Sequence, residues 1–66
     1  MGILKNSALA DRRKHQRYSQ VEMAKKLGVS QSTYWAFETG YREPTPEERK
    51  KIAALLRTHP VYIFPR

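Results

Sequence analysis

Gln31 and Ser32 stand side by side in a stretch of mostly small, uncharged residues that also holds Ser30, Trp35, Ala36 and Thr39. A glutamine amide donates and accepts at once, so it fits the paired acceptor and donor on the edge of adenine. Lys25, Lys26, Arg17 and Arg42 flank that stretch with fixed positive charge, which phosphates attract. These residue types support recognition of a polar, anionic surface rather than the making of bonds.

Bond-making chemistry finds no constellation here. Glu47 and Glu48 are adjacent, and neighbouring helical residues point about 100° apart, so the pair cannot straddle a substrate. Ser19, Ser30 and Ser32 lack a partnered base. His15 and His59 have no second ligand at helix or turn spacing, and the chain contains no cysteine. Neither a metal site nor a disulfide framework is expected. The glycines are scattered, which leaves no phosphate-binding loop. The expectation is a non-enzyme without a cofactor.

The recognition residues need a platform, and the segment from Ser19 to Gly40 supplies one. Ser19 caps a short helix through its hydroxyl. Val21, Met23, Ala24 and Leu27 are that helix's apolar residues, with Ala24 and Leu27 one turn apart on one face. Lys25 and Lys26 fall on the exposed side near its C-terminus, where the helix dipole favours cations. Gly28 ends it, because glycine adopts the left-handed backbone without penalty. Val29 is a single buried plug. Ser30 caps a second helix over about residues 31–39, and Gly40 stops it. Thr33, Tyr34 and Phe37 share one side of this helix, and Ser32, Trp35, Ala36 and Thr39 share the other. An outward stripe that is uncharged, mostly small and carries one large aromatic suits close contact better than a merely wetted face, where Lys and Glu are usual.

The arrangement resembles the helix-turn-helix of the phage-repressor family, the Cro and lambda-repressor type also called Xre-like. Gln20, Ala24, Gly28-Val29-Ser30, Phe37, Glu38 and Gly40 carry the resemblance in register, and it extends over about residues 4–64. It implies an all-α, compact bundle of four to five short helices, one DNA-binding domain over residues 1–66, with the motif at about residues 20–39. It further implies an ion pair between Arg13 and Glu38 that clamps the first helix to the third. Gln20 would brace Gln31 or hold a phosphate near the start of its own helix. The family usually has glycine where this chain has Arg17, which puts the geometry of the first turn in question.

The flanks read as helices too. A first helix is expected over about Leu4 to Gln16, capped by Asn6 or Ser7, with Leu9 and either Ala8 or Arg13 turned inward. Tyr18 packs inward just before the Ser19 cap. The basic run Arg12-Arg13-Lys14-His15-Gln16-Arg17 forms the last turns of that first helix and suits both the helix dipole and phosphate contact. After a loop with two prolines, Thr45, Pro46 and Glu48 form a capping box for a fourth helix ending near Arg57. Ile52, Ala53, Leu55 and Leu56 are its apolar side. Thr58 is expected to cap a last short turn of helix through about Phe64. Val61, Tyr62, Ile63 and Phe64 fill the core or form a partner surface.

Composition agrees with a polyanionic partner. The chain has 66 residues, with 13 Lys and Arg against 6 Asp and Glu, for a net charge of +7. An excess of that size draws a small domain to nucleic acid or to an acidic membrane surface. No apolar run approaches the roughly 18 residues of a membrane span, and no secretory signal is visible at the N-terminus. A cytoplasmic location is expected. The caps and the Gly28 turn argue for a fixed fold over a cationic membrane-active peptide.

The expected mechanism places the second motif helix in the major groove of double-stranded DNA, N-terminal end toward the bases. Gln31 and Ser32 read base edges, and Ala36 allows close approach. Trp35 meets a thymine methyl or the sugar wall, or else folds back over the neighbouring loop. Ser30, Thr39 and Arg42 are the phosphate candidates, followed by Lys25, Lys26 and Arg17. One such module buries little DNA surface, so a homodimer on a palindromic operator is expected, formed in solution or only on DNA, as in a Cro-like or immunity-type repressor. The alternative is an antitoxin-type protein that binds a partner protein as well as DNA.

Overall fold

Each helix in the chain begins at a side chain that closes its free backbone N–H groups. The Asn6 side chain accepts a hydrogen bond from Leu9 N–H at 3.0 Å and opens α1, Ser7–His15. Ser19 and Glu22 form a reciprocal capping box at the head of α2, Gln20–Leu27. Ser30 caps α3, Gln31–Thr39, through Thr33 N–H. Thr45 and Glu48 form a second capping box for α4, Pro46–Leu55, with Pro46 at the first position, where no N–H is needed. The computed structural model describes residues 6–64, and these five helices, α5 being Pro60–Ile63, are its regular structure, with no strand among the described residues. The expected start of the first helix at Leu4 lies outside them.

Two departures concern the fifth helix and the end of the fourth. His59, not Thr58, caps α5: its ring Nδ1 accepts from Val61 N–H at 3.4 Å, leaving room for Pro60 at the first helical position. Thr58 instead donates its backbone N–H to Ala53 carbonyl at 2.9 Å, closing the end of α4. That helix stops at Leu55 because Arg57 takes a left-handed backbone, φ 57°.

All five helices contribute to one core. Leu9, Met23, Ala24, Leu27, Tyr34, Phe37, Ile52, Ala53, Leu56 and Ile63 are buried together. In α1 the inward residues are Leu9 and Arg13, while Ala8 is exposed. In α2 the inward set is Met23, Ala24 and Leu27, and Val21 is 41% exposed. Met23, fully buried, belongs to the inward face with Ala24 and Leu27. Val29 is only half-buried and packs against the core from its edge, so it is less of a plug than the sequence suggests. Tyr18 and Leu55 pack on the same core from partly buried positions.

With one buried apolar residue, α1 is held largely by polar ties. Asn6 donates its backbone N–H to Glu38 carbonyl at 2.8 Å and its side-chain amide to Ile63 carbonyl at 3.0 Å. Arg12 donates to Leu56 carbonyl at 3.0 Å and to Arg57 carbonyl at 2.9 Å. It thus covers the carbonyl end of α4, where a cation is electrostatically favoured. These contacts join α1 to α3, α4 and α5 and fix the frame in which the α2–α3 pair sits.

Candidate nucleic-acid interface

The site begins with how α3 is held. Two left-handed glycines frame α3, Gly28 at φ 76° before it and Gly40 at φ 88° after it. Between them the inward face of α3 buries Tyr34, Phe37 and Glu38. Glu38 is a carboxylate with 6% of its side chain exposed, so it must be paired. Arg13 of α1 supplies that partner in a forked contact. Its Nε donates to Glu38 Oε2 at 2.6 Å, and its Nη2 donates to Oε1 at 3.3 Å. Arg13 Nη1 also donates to Tyr18 carbonyl at 2.8 Å, tying the α1–α2 turn into the cluster. The Tyr34 hydroxyl donates to Glu38 Oε2 at 2.6 Å. Gln20 donates its side-chain amide to Glu38 Oε1 at 3.1 Å.

The bracing role expected of Gln20 thus has a different partner. Its amide braces Glu38, at the far end of α3, instead of Gln31 at the near end. Both motif helices therefore meet on one carboxylate that α1 also grips. Burial opposes the charge on Glu38, but hydrogen bonds from Arg13, Tyr34 and Gln20 outweigh it and hold the carboxyl below its ordinary value. The bond to Glu38 raises Arg13 further against the opposing effect of burial. Burial, then the bond to Glu38, pushes the Tyr34 hydroxyl well above its ordinary range. Arg13, Glu38 and Tyr34 thus stay in one protonation pattern at neutral pH, and α3 is locked on its inner side.

The outward side of α3 presents Gln31, Ser32 and Trp35 as exposed residues, with Ala36 and Thr39 half-buried beside them. Ser30 is exposed, but its hydroxyl is already used: it accepts from Thr33 N–H and donates to Thr33 Oγ1 at 2.9 Å. Thr39 donates its hydroxyl to Ala36 carbonyl at 3.4 Å. Both hydroxyls retain acceptor capacity, yet their donor protons have partners inside the helix. Arg42 lies just past α3 with its guanidinium over the Phe37 ring, 5.9 Å from the centroid, and is exposed. Lys26 sits over the Tyr18 ring at 5.2 Å, and Lys25 in α2 and Arg17 in the turn before it are exposed. Arg17 stands in a left-handed backbone, φ 64°, so the first turn keeps a glycine-like geometry despite the bulky residue.

Trp35 both folds back and stays open. Its ring stacks on Tyr41 of the following loop, 5.7 Å between centroids and 25° between planes, and remains 46% exposed. Sequence reasoning did not single out Tyr41. The polar ties of Arg12 were also missed: a basic residue in a basic run gives no sign that its partners are carbonyls of α4. Among the described residues there is no group of three acidic, His or Cys side chains that could hold a metal ion, and no helix long and apolar enough to cross a membrane.

Comparison with known proteins fits this geometry. No curated protein sequence matches the chain. Its fold is similar to the restriction-modification controller protein C.AhdI from Aeromonas hydrophila, 25% identical, covering 89% of each chain with a TM-score of 0.80. It is likewise similar to SinR, a master regulator for biofilm formation solved in complex with DNA, 25% identical over 88% of this chain and 94% of that one, TM-score 0.78. A third likeness is to hydroxypropylphosphonic acid epoxidase from S. wedmorenis, 30% identical with a TM-score of 0.83; it covers 91% of this chain but 32% of the enzyme. Most of that enzyme thus lies outside the match. A helix-turn-helix family model, HTH_3, matches residues 9–63, which takes in all of the core and both motif helices. The chain belongs to the Cro/C1-type helix-turn-helix family.

Proposed function

We propose that the chain is a sequence-specific double-stranded DNA-binding transcriptional regulator that lays α3 in the major groove. One observation carries the reading: α3 is fixed on its inner face by a buried, fully paired carboxylate, while its outer face is exposed, uncharged and lined by Gln31, Ser32 and Trp35. A rigid helix with such a face matches what base edges require, and the net charge of +7 supplies the phosphate attraction. Gln31 reads adenine through its amide, Ser32 reads a second edge, and Ala36 permits close approach. Arg42 holds backbone phosphate, with Lys25, Lys26, Arg17, Ser30 and Thr39 in support. These contacts set register without reading sequence. Gln20, Arg13 and Glu38 act behind the surface by fixing α3. The DNA-bound state of SinR supports the same reading.

The finer assignment is a small cytoplasmic repressor of the Cro or immunity type, without enzymatic activity, acting as a homodimer on a palindromic operator. Selection from a random duplex library at about 150 mM salt tests it. The expected result is an enriched two-fold site with half-sites about one helical turn apart. Steeply salt-dependent binding with no enriched sequence would contradict it.

A second reading, the antitoxin type, draws on α5, where Val61 is 54% and Tyr62 is 74% exposed. Co-purification of a second small protein through that patch, lost in Tyr62→Ala, would favour it.

A further inference from the structure

The outward face of α3 ends in an unusual pair. Trp35 and Tyr41 are both exposed, at 46% and 64%, and they stack on each other. A large aromatic left this open on a helix of small polar neighbours loses apolar burial that folding could have supplied. The stack holds the indole against the loop, and so at a fixed place beside Ala36. Arg42, adjacent to Tyr41 in sequence, is itself held over Phe37. The result is a flat apolar ledge between a polar reading end at Gln31 and a cation.

We propose that Trp35, positioned by Tyr41, is a specificity determinant that selects a 5-methylpyrimidine, ordinarily thymine, in the operator. The proposal rests on the reading of α3 as the groove helix. Its occupant follows from the surroundings. The strip shares a face with Gln31 and Ser32 and lies on a chain of net charge +7, so the partner is anionic. The apolar group that a DNA major groove offers is the thymine methyl. Trp35 follows Gln31 by four residues, about 6 Å along the helix axis and close to the same angular position. The contacted methyl therefore lies near the pair read by Gln31, within the same half-site.

Tyr41 acts through Trp35 and need not touch DNA. Without it the indole can turn off the ledge, and the methyl loses its fixed surface. Both side chains are exposed, so shortening either leaves the core intact.

The test uses the enriched duplex with uracil in place of thymine, one position at a time, which removes a methyl and no pairing edge. For the wild-type chain, one position in each half-site should lose about fourfold in affinity, the worth of burying one methyl-sized group. Trp35→Ala and Tyr41→Ala should bind the thymine duplex more weakly and lose the difference between thymine and uracil. Tyr41→Phe, which keeps the stack, should retain it. Circular dichroism confirms that each variant is folded. Equal affinity for thymine and uracil at every position in the wild type overturns the methyl proposal while leaving the groove reading intact. Retained discrimination in Tyr41→Ala overturns the positioning role. Failure to enrich any duplex is a different result: it removes the groove reading itself and the methyl proposal with it.

Discussion

Glu38 is the residue on which α1, α2 and α3 converge. Its side chain and that of Arg13 are 6% and 10% exposed, so neither charge is well hydrated without the other. Glu38→Gln leaves Arg13 buried and short of its partner. That change is expected to cost about 3 kcal/mol, which in a chain of this size lowers Tm by more than about 10 °C. An unchanged Tm in a thermal melt would dismiss the clamp. The pH dependence has a definite sign. The folded carboxyl titrates below its ordinary value of 4.5, so its contribution is fully present above that pH. It is lost as pH falls through the folded value, where the native state must take up the proton. Acid melts of the wild type should steepen below about pH 4.5, and Glu38→Gln should lack that component. Identical acid profiles for the two would show that other groups govern acid unfolding. At this scale the sequence was partly legible. Arg13 and Glu38 were paired by family resemblance, because residues so far apart carry no local signal of contact. Gln20 and Tyr34 joined the same carboxylate only in three dimensions.

At the scale of elements, caps and turns were the most legible features because their physics is local. Ser19 with Glu22, Ser30, and Thr45 with Glu48 each satisfy donors within three residues of the cap. Burial was less legible. Val21 and Ala8 are apolar yet exposed, since the neighbour that would cover them is set by helix packing. The cap of α5 is His59 rather than Thr58, because Pro60 takes the first helical position without an N–H and the next donor, Val61 N–H, is met by His59 Nδ1 at 3.4 Å. Arg17 offers the sharpest element-scale test. A non-glycine residue in the left-handed region is strained by about 1–2 kcal/mol, part of which glycine returns in unfolded-chain entropy. Arg17→Gly should therefore raise Tm by a few degrees while weakening DNA binding through loss of a cation. A lowered Tm would mean that the arginine side chain stabilises the turn more than its backbone strains it.

For the whole molecule, net charge sets the behaviour. The net charge of +7 predicts binding that weakens steeply with salt whatever the sequence, so only the difference between duplexes reports readout. Under the proposed homodimer, Val61 and Tyr62, exposed on α5, are the surface that would meet the second copy. Sedimentation of the chain with an operator-sized duplex should give two copies per site. One copy per site, free and bound, would contradict the dimer. Fold class was readable from the chain because the helix-turn-helix, the two capping boxes and the short connections agree with one another. Assembly was not, because the same apolar residues could have served as core. Ile63 does so, whereas Tyr62 does not.

If α3 reads bases while its flanks hold phosphates, a salt titration of two variants on the enriched duplex separates the two roles. Gln31→Ala should lose about 1–3 kcal/mol on that duplex, relax preference at one base position and keep the wild-type salt slope. Arg42→Ala should weaken all sequences alike and make the slope shallower by about one unit. If Gln31→Ala instead weakened every sequence equally and changed the slope as Arg42→Ala does, α3 would be only another phosphate contact and the assignment of readout to its outer face would be wrong.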